Sequence, residues 1–106
     1  MKRFLAALAL CTLLCPAARA EAPQKYIALT FDDGPSGRCT ERLLDGLAAR
    51  EVHATFFLCG YRVEQYPALA ARIAQEGHEI GNHSNRHEFF THMSAEAVCA
   101  DLRKAE

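Results

Sequence analysis

Short apolar runs alternate with helix-periodic stretches along this chain, and that alternation limits the architectures open to it. Residues 26–31 (Tyr-Ile-Ala-Leu-Thr-Phe) are rich in strand formers and are closed by Asp32-Asp33-Gly34-Pro35, so they read as a buried strand ending in a turn. Leu43, Leu44 and Leu47 then recur at helical spacing, which predicts a helix over 40–50. A second strand is expected at 52–58, ended by Gly60. Pro67 suits a first helical position, Leu69 and Ile73 lie four apart, and Gly77 stands where a helix commonly stops. Residues 78–82 form a short third strand whose one strongly apolar residue is Ile80. A last helix opens with Ser94 as N-cap, Glu96 in its first turn and Met93 placed to staple onto Val98. Strands joined by helix-length crossovers imply an α/β fold with a parallel sheet covered by helices.

At this length that fold is expected to be incomplete. Residues 1–20 read as an export signal. Met1-Lys2-Arg3 supplies positive charge, 4–15 are apolar except Thr12, Pro16 breaks the run, and Ala18-Arg19-Ala20 fits a small-x-small cleavage pattern. Twelve helical residues rise about 18 Å against a bilayer core of about 30 Å, so the segment is not a membrane span. Leu14 is bulky where a lipoprotein site wants a small residue before Cys15, which argues against lipid anchoring. The expected location is secreted or associated with the cell envelope, with no transmembrane helix after signal removal. Residues 21–106 remain, enough for one small domain. Parallel strands are normally covered on both faces, and a closed (β/α) barrel takes about 250 residues. Residues 21–106 are therefore expected to be the N-terminal part of a truncated larger α/β domain.

Charge and cysteine content narrow the function classes. The 106 residues carry 12 basic and 13 acidic side chains, and without Lys2, Arg3 and Arg19 the balance falls to nine against thirteen. A mildly acidic chain with no basic run is a poor nucleic-acid binder. Cys39, Cys59 and Cys99 remain after cleavage. They match no zinc-ribbon spacing and are read as three small buried residues rather than a disulfide framework.

Two polar clusters follow strands and so fall on the same rim of a parallel sheet, where α/β sites are built. Asp32-Asp33 closes the first strand and His83-Ser84-Asn85-Arg86-His87 follows the third. Taken singly, each has an ordinary reading: a solvated Asp-Gly turn, and two unrelated surface histidines. Neighbours on a strand face opposite ways, so the two aspartates should differ in role unless the Gly-Pro turn re-aims one. His83 and His87 are four apart, which would put them on one side of a helical turn. Two imidazoles and a carboxylate suit zinc, and three protein ligands leave a catalytic position open. The reading adopted is that Asp33, His83 and His87 hold a divalent cation. A water there would be acidified toward a pKa of about 7, and Asp32 would take its proton. His53, taken as a strand residue, and His78, Arg38 and Arg62 are given no functional part, and His92 is read as a loop residue.

The motifs also resemble a known family. Thr30-Phe31-Asp32-Asp33-Gly34-Pro35 is similar to the first motif of the polysaccharide deacetylases, carbohydrate esterase family 4, which carry the NodB-like homology domain. His83-Ser84-Asn85-Arg86-His87 resembles the second, His-Ser/Thr-x-x-His. Residues 54–60 resemble the family's second strand, and 77–83 its approach to the histidines. The resemblance implies a distorted (β/α) barrel, of which the first three or so βα units are present. It implies hydrolytic removal of acetyl groups from an acetylated glycan such as peptidoglycan or chitin oligomers, at a carbon–nitrogen bond that is not a peptide bond. It implies Asp32 as catalytic base and Asp33, His83 and His87 as ligands of a divalent metal, zinc first and cobalt or nickel as alternatives. It sharpens which aspartate does which.

The departures matter as much. The family's later Arg-x-Pro, Asp/Trp and Leu-x-x-His motifs do not occur, and the sequence holds no tryptophan. The 106 residues alone are therefore expected to be nearly inactive, and the longer parent active. Two other readings compete. An aspartyl phosphotransferase would want its acids one residue apart, not adjacent, and gives the histidines no part. A secreted, non-catalytic carbohydrate-binding remnant of the same fold is the alternative for these residues by themselves.

Overall fold

The computed structural model describes residues 24–106. The export-signal reading of 1–20 lies outside them. Three strands, β1 (Thr30–Gly34), β2 (Thr55–Leu58) and β3 (Glu79–Asn82), form one parallel sheet in the order β1-β2-β3. Helix α1 (Gly37–Ala48) crosses from β1 to β2, and α2 (Gly60–Gln65) with α3 (Pro67–Gln75) crosses from β2 to β3. A 3₁₀ turn (Phe90–His92) leads into α4 (Ala95–Lys104). The α/β class and the parallel pairing are as the alternation predicts.

The core sits between the central strand and the crossover helices. Phe56 and Leu58 alternate along β2 and are buried, as period-two patterning requires. Leu44 and Leu47 from α1, Ile73 from α3 and Ala54 complete the cluster. Thr40, Leu44 and Leu47 share one face of α1, and Leu69 and Ile73 one face of α3. Pro67 is the first residue of α3, and Gly77 (φ 81°) follows its end, where only glycine is free of a Cβ clash. Ser94 caps α4 by accepting the Ala97 N–H at 3.3 Å.

Several boundaries differ from expectation. Residues 26–29 precede β1, and Tyr26 and Ile27 are exposed, because no strand pairs with them among the described residues. Their pairing starts only where Thr55 N–H reaches Leu29 O at 3.0 Å. β2 and β3 begin three residues and one residue late, and His53 is an exposed residue ahead of β2 rather than a strand residue. His78 instead packs inward: its Nδ1 accepts the Ala54 N–H at 3.2 Å, replacing a ladder bond with a side-chain one. Helix α1 starts three residues early, since the Ser36 N–H finds Thr40 Oγ1 at 2.8 Å and Thr40 N–H returns to Ser36 O. The helix α2 has no counterpart in the sequence reading. Of the cysteines, Cys59 is buried but Cys39 and Cys99 are exposed, being on the outer faces of α1 and α4; all three are free thiols.

Candidate metal centre

Asp33 owes its direction to a break in the strand ladder. Asp32 pairs with Phe57 and Gly34 with Leu58, which leaves Asp33 as the unpaired residue of a bulge. Its φ is 67°, a left-handed conformation that aspartate tolerates better than most residues. The strict opposition expected of Asp32 and Asp33 on a regular strand therefore does not hold. The bulge is what re-aims one of them. Gly34 O then accepts the Cys59 N–H at 3.0 Å, anchoring the strand end, and the following Gly34–Pro35 peptide is cis.

The histidines are set by a folded loop, not by the helical turn expected. His83 N–H donates to Leu58 O at 3.0 Å, continuing the β2–β3 pairing for one residue. Asn82 Oδ1 accepts the Ser84 N–H at 2.8 Å, and Ser84 Oγ accepts the His87 N–H at 3.0 Å. Ser84 (φ 64°) and His87 (φ 60°) are both left-handed, so the chain doubles back within four residues. The first two amides of α2 hold the loop's other side: Gly60 N–H donates to Ser84 O and Tyr61 N–H to Asn85 O, each at 3.0 Å. Helix α4 closes the back. Asp101 Oδ2 accepts the Asn85 N–H at 2.7 Å, and Asn82 Nδ2 donates to Leu102 O at 2.9 Å.

The result is a three-residue convergence. His83 Nε2 lies 3.1 Å and His87 Nε2 3.0 Å from the same oxygen, Asp33 Oδ1. One donor atom from each residue falls within 4.8 Å of the others. With metal–ligand distances of about 2.0–2.2 Å, tetrahedral donors stand about 3.3–3.6 Å apart, so each imidazole need move from the Asp33 oxygen by only a few tenths of an ångström. Two neutral imidazoles and a carboxylate are a donor set suited to zinc, and the residues fit such an ion. His83 is half-buried while His87 and Asp33 are exposed, leaving an approach from solvent.

Asp32 does not join this cluster. It is exposed and lines, with Asp33, Thr40 and Arg62, a cleft of about 490 Å³ beside β1. A second cleft of about 380 Å³, walled by Asn82, His83, His87, Phe89 and Phe90, opens on the other side of the histidines. Arg62 is half-buried and at the edge of the first cleft, its guanidinium 5.2 Å from the Tyr61 ring centroid and its Nε–H on Tyr61 Oη. His92 is exposed in the 3₁₀ turn and is not one of the converging residues. Cys59 lies beneath the site, its thiol donating to His83 O at 3.5 Å; burial first, and the Asp33 carboxylate second, push its pKa up and keep it a neutral thiol. Cys59, Asn82 and Asp101 carry no functional signal of their own in the sequence. Asn82 and Cys59 lay inside the motif runs, but nothing in the pattern of α4 marks Asp101.

The family model for polysaccharide deacetylases matches residues 19–106. The chain belongs to the polysaccharide deacetylase family. It is 49% identical over 83 residues to the peptidoglycan-N-acetylmuramic acid deacetylase PdaC of Bacillus subtilis, covering 78% of this chain and 18% of that protein. It is 40% identical over 89 residues to a chitooligosaccharide deacetylase of Rhizobium leguminosarum bv. trifolii, covering 84% of this chain and 41% of the relative. The solved structure of the Bacillus subtilis peptidoglycan deacetylase PdaC superposes with a TM-score of 0.75 at 44% identity, over 77% of this chain and 41% of that one. The α/β arrangement thus matches part of the family's (β/α) barrel. The chain spans well under half the length of these relatives.

Proposed function

We propose that this polysaccharide deacetylase hydrolyses acetyl groups from an acetylated glycan, an N-acetylglucosamine-containing polymer such as peptidoglycan or chitin oligomers, at a carbon–nitrogen bond that is not a peptide bond. The observation that carries the proposal is the approach of both imidazole Nε2 atoms to one Asp33 oxygen, at 3.1 and 3.0 Å. The names of the relatives support the substrate class. Asp33, His83 and His87 would hold a divalent cation, zinc by the chemistry of the donors, with cobalt or nickel able to substitute. Bound there, the ion would supply Lewis-acid polarisation of the acetyl carbonyl and acidify a water molecule. Asp32 is the general base: it sits one residue from the ligand set, is exposed to the cleft, and has no hydrogen bond or ion pair that would occupy its carboxylate among the described residues. Residues 1–20, read as an export signal, direct the protein to where such polymers lie, and 21–106 form the N-terminal part of its deacetylase domain.

The test is acetate release from a panel of acetylated glycans by the whole protein, with and without a chelator. Release should stop on chelation and return with zinc. Asp32→Asn should abolish turnover with metal content near wild type, while Asp33→Asn and His83→Ala should lose the metal itself. Release that persists unchanged after exhaustive chelation would overturn the metal-dependent reading. Loss of metal together with turnover in Asp32→Asn, with metal retained in Asp33→Asn, would reverse the two assignments.

A further inference from the structure

Asp101 is an unusual residue to find where it is. It lies on α4, seven residues after the Ser94 cap, and is 9% exposed. A helix packing against a loop would ordinarily place an apolar side chain there, because burying a carboxylate is costly unless it is paired. Asp101 has no ion-pair partner among the described residues. Its hydrogen bond is to the Asn85 N–H, at 2.7 Å, the short distance of a charge-assisted bond. Asn85 is 2% exposed and stands at the middle of the segment joining His83 to His87.

The Ser84–Asn85 stretch is thereby held from two sides. Its carbonyls are bound by the first amides of α2, and the Asn85 amide by α4. Such holding is needed, because Ser84 and His87 both adopt left-handed backbone that ordinary side chains avoid and that persists only where the surroundings fix it. Nothing else in the loop satisfies the Asn85 N–H. Without Asp101 that amide would be buried and unpaired, and the loop would be free to relax toward commoner backbone, carrying the imidazoles apart.

We infer that Asp101 is a positioning residue: through the Asn85 amide it fixes the His83–His87 loop and so sets the affinity of the cation site. This rests on the metal reading above for its consequence, but not for its contact. Outer contacts that orient metal ligands typically change affinity by about 10- to 100-fold when removed.

The full chain is titrated with Co²⁺, read by visible absorption, for the wild type, Asp101→Ala and Asp101→Asn, with folding checked by circular dichroism. Asp101→Ala should weaken Co²⁺ binding by about 10- to 100-fold. Asp101→Asn keeps an acceptor oxygen and should stay within about threefold of wild type. Asp101→Leu replaces the alanine variant if the cavity unfolds the chain. A second arm uses no metal: hydrogen exchange at the Asn85 amide should quicken at least about tenfold in the alanine or leucine variant and be nearly restored in Asp101→Asn. A folded alanine or leucine variant that binds Co²⁺ within threefold of wild type overturns the inference, as does unchanged Asn85 exchange. A wild type that binds no Co²⁺ sinks the metal reading instead and leaves the exchange arm to decide the contact.

Discussion

Gly60→Ala tests whether the histidine loop, α2 and α4 meet as closely as described. Gly60 is the first residue of α2, and a methyl group there would stand 2.5 Å from Asn85 Oδ1 and 3.1 Å from Ala105 Cα. The first distance cannot be tolerated, so Asn85 must turn its side chain. Its Oδ1 has no hydrogen-bond partner, so turning breaks no bond, but the residue is buried and has little room. The second involves backbone at the end of α4, which must shift by a few tenths of an ångström. Overpacking of this kind costs about 1–3 kcal/mol. Replacing glycine in a helix returns up to about 1 kcal/mol, less at a first position. The net expectation is a loss of about 1–2 kcal/mol, or a fall in Tm of about 4–16 °C for a domain of this size. Gly46→Ala is the control: a methyl there meets only the end of Arg50, at 3.7 Å, so helix propensity should dominate and Tm should rise slightly. Thermal unfolding by circular dichroism, run on both variants, gives the comparison. Equal rises in Tm for the two would refute the close approach at Gly60, and with it the tight seat of the loop.

Three further outcomes follow from the packing. Leu44→Ala removes a fully buried core side chain and should cost about 2–5 kcal/mol in urea unfolding. Ser94→Ala removes the α4 cap and should cost about 1 kcal/mol by the same measurement, with far-ultraviolet helix signal little changed. His78 is buried, and desolvation, only partly opposed by Glu76, lowers its pKa below the ordinary 6.5. The unfolded chain therefore binds the proton more readily than the folded one, so stability is full above about pH 6.5 and falls as pH drops toward the folded value, by at most about 1.4 kcal/mol per pH unit for one proton. His78→Gln should flatten that part of the stability–pH curve relative to wild type; an unchanged slope would mean that His78 does not stay neutral in the fold.

The order of strands and helices was legible because it rests on two local signals, apolar run length and punctuation. Pro67, Gly77 and Ser94 sit where helices begin and end, and the structure uses each of them so. What was not legible depended on partners far along the chain. Tyr26 and Ile27 look like the start of a strand, but a strand needs an opposite number, and β2 supplies none before Thr55. The helix α2 is six residues with its buried surface at Gly60, too short to show periodicity. Cys39 and Cys99 are of a residue type that is usually buried, yet their helical positions put them outside. Asp101 is the hardest case. Its value lies in an amide sixteen residues earlier, and no pattern within α4 distinguishes it from a solvated acid.

The convergence of His83 and His87 does not come from their spacing. A spacing of four brings side chains together on a helix, but these residues are not helical. They meet because Ser84 and His87 turn left-handed, just as Asp33 meets them because a bulge turns it left-handed. Of the four non-glycine residues with positive φ among the described residues, these are three; the fourth, Glu51, lies in the turn before β2. Each such residue costs of order 1–3 kcal/mol, and none uses glycine, the residue that would adopt the conformation freely. Glycine at these positions would relieve the backbone and delete the side chain that converges or, at Ser84, the hydroxyl that holds the His87 amide. The strain is thus retained where a side chain and a left-handed backbone are needed at the same residue. That coincidence concentrates at one rim of the sheet, and it accounts for why three side chains separated by up to 54 positions share a single small volume.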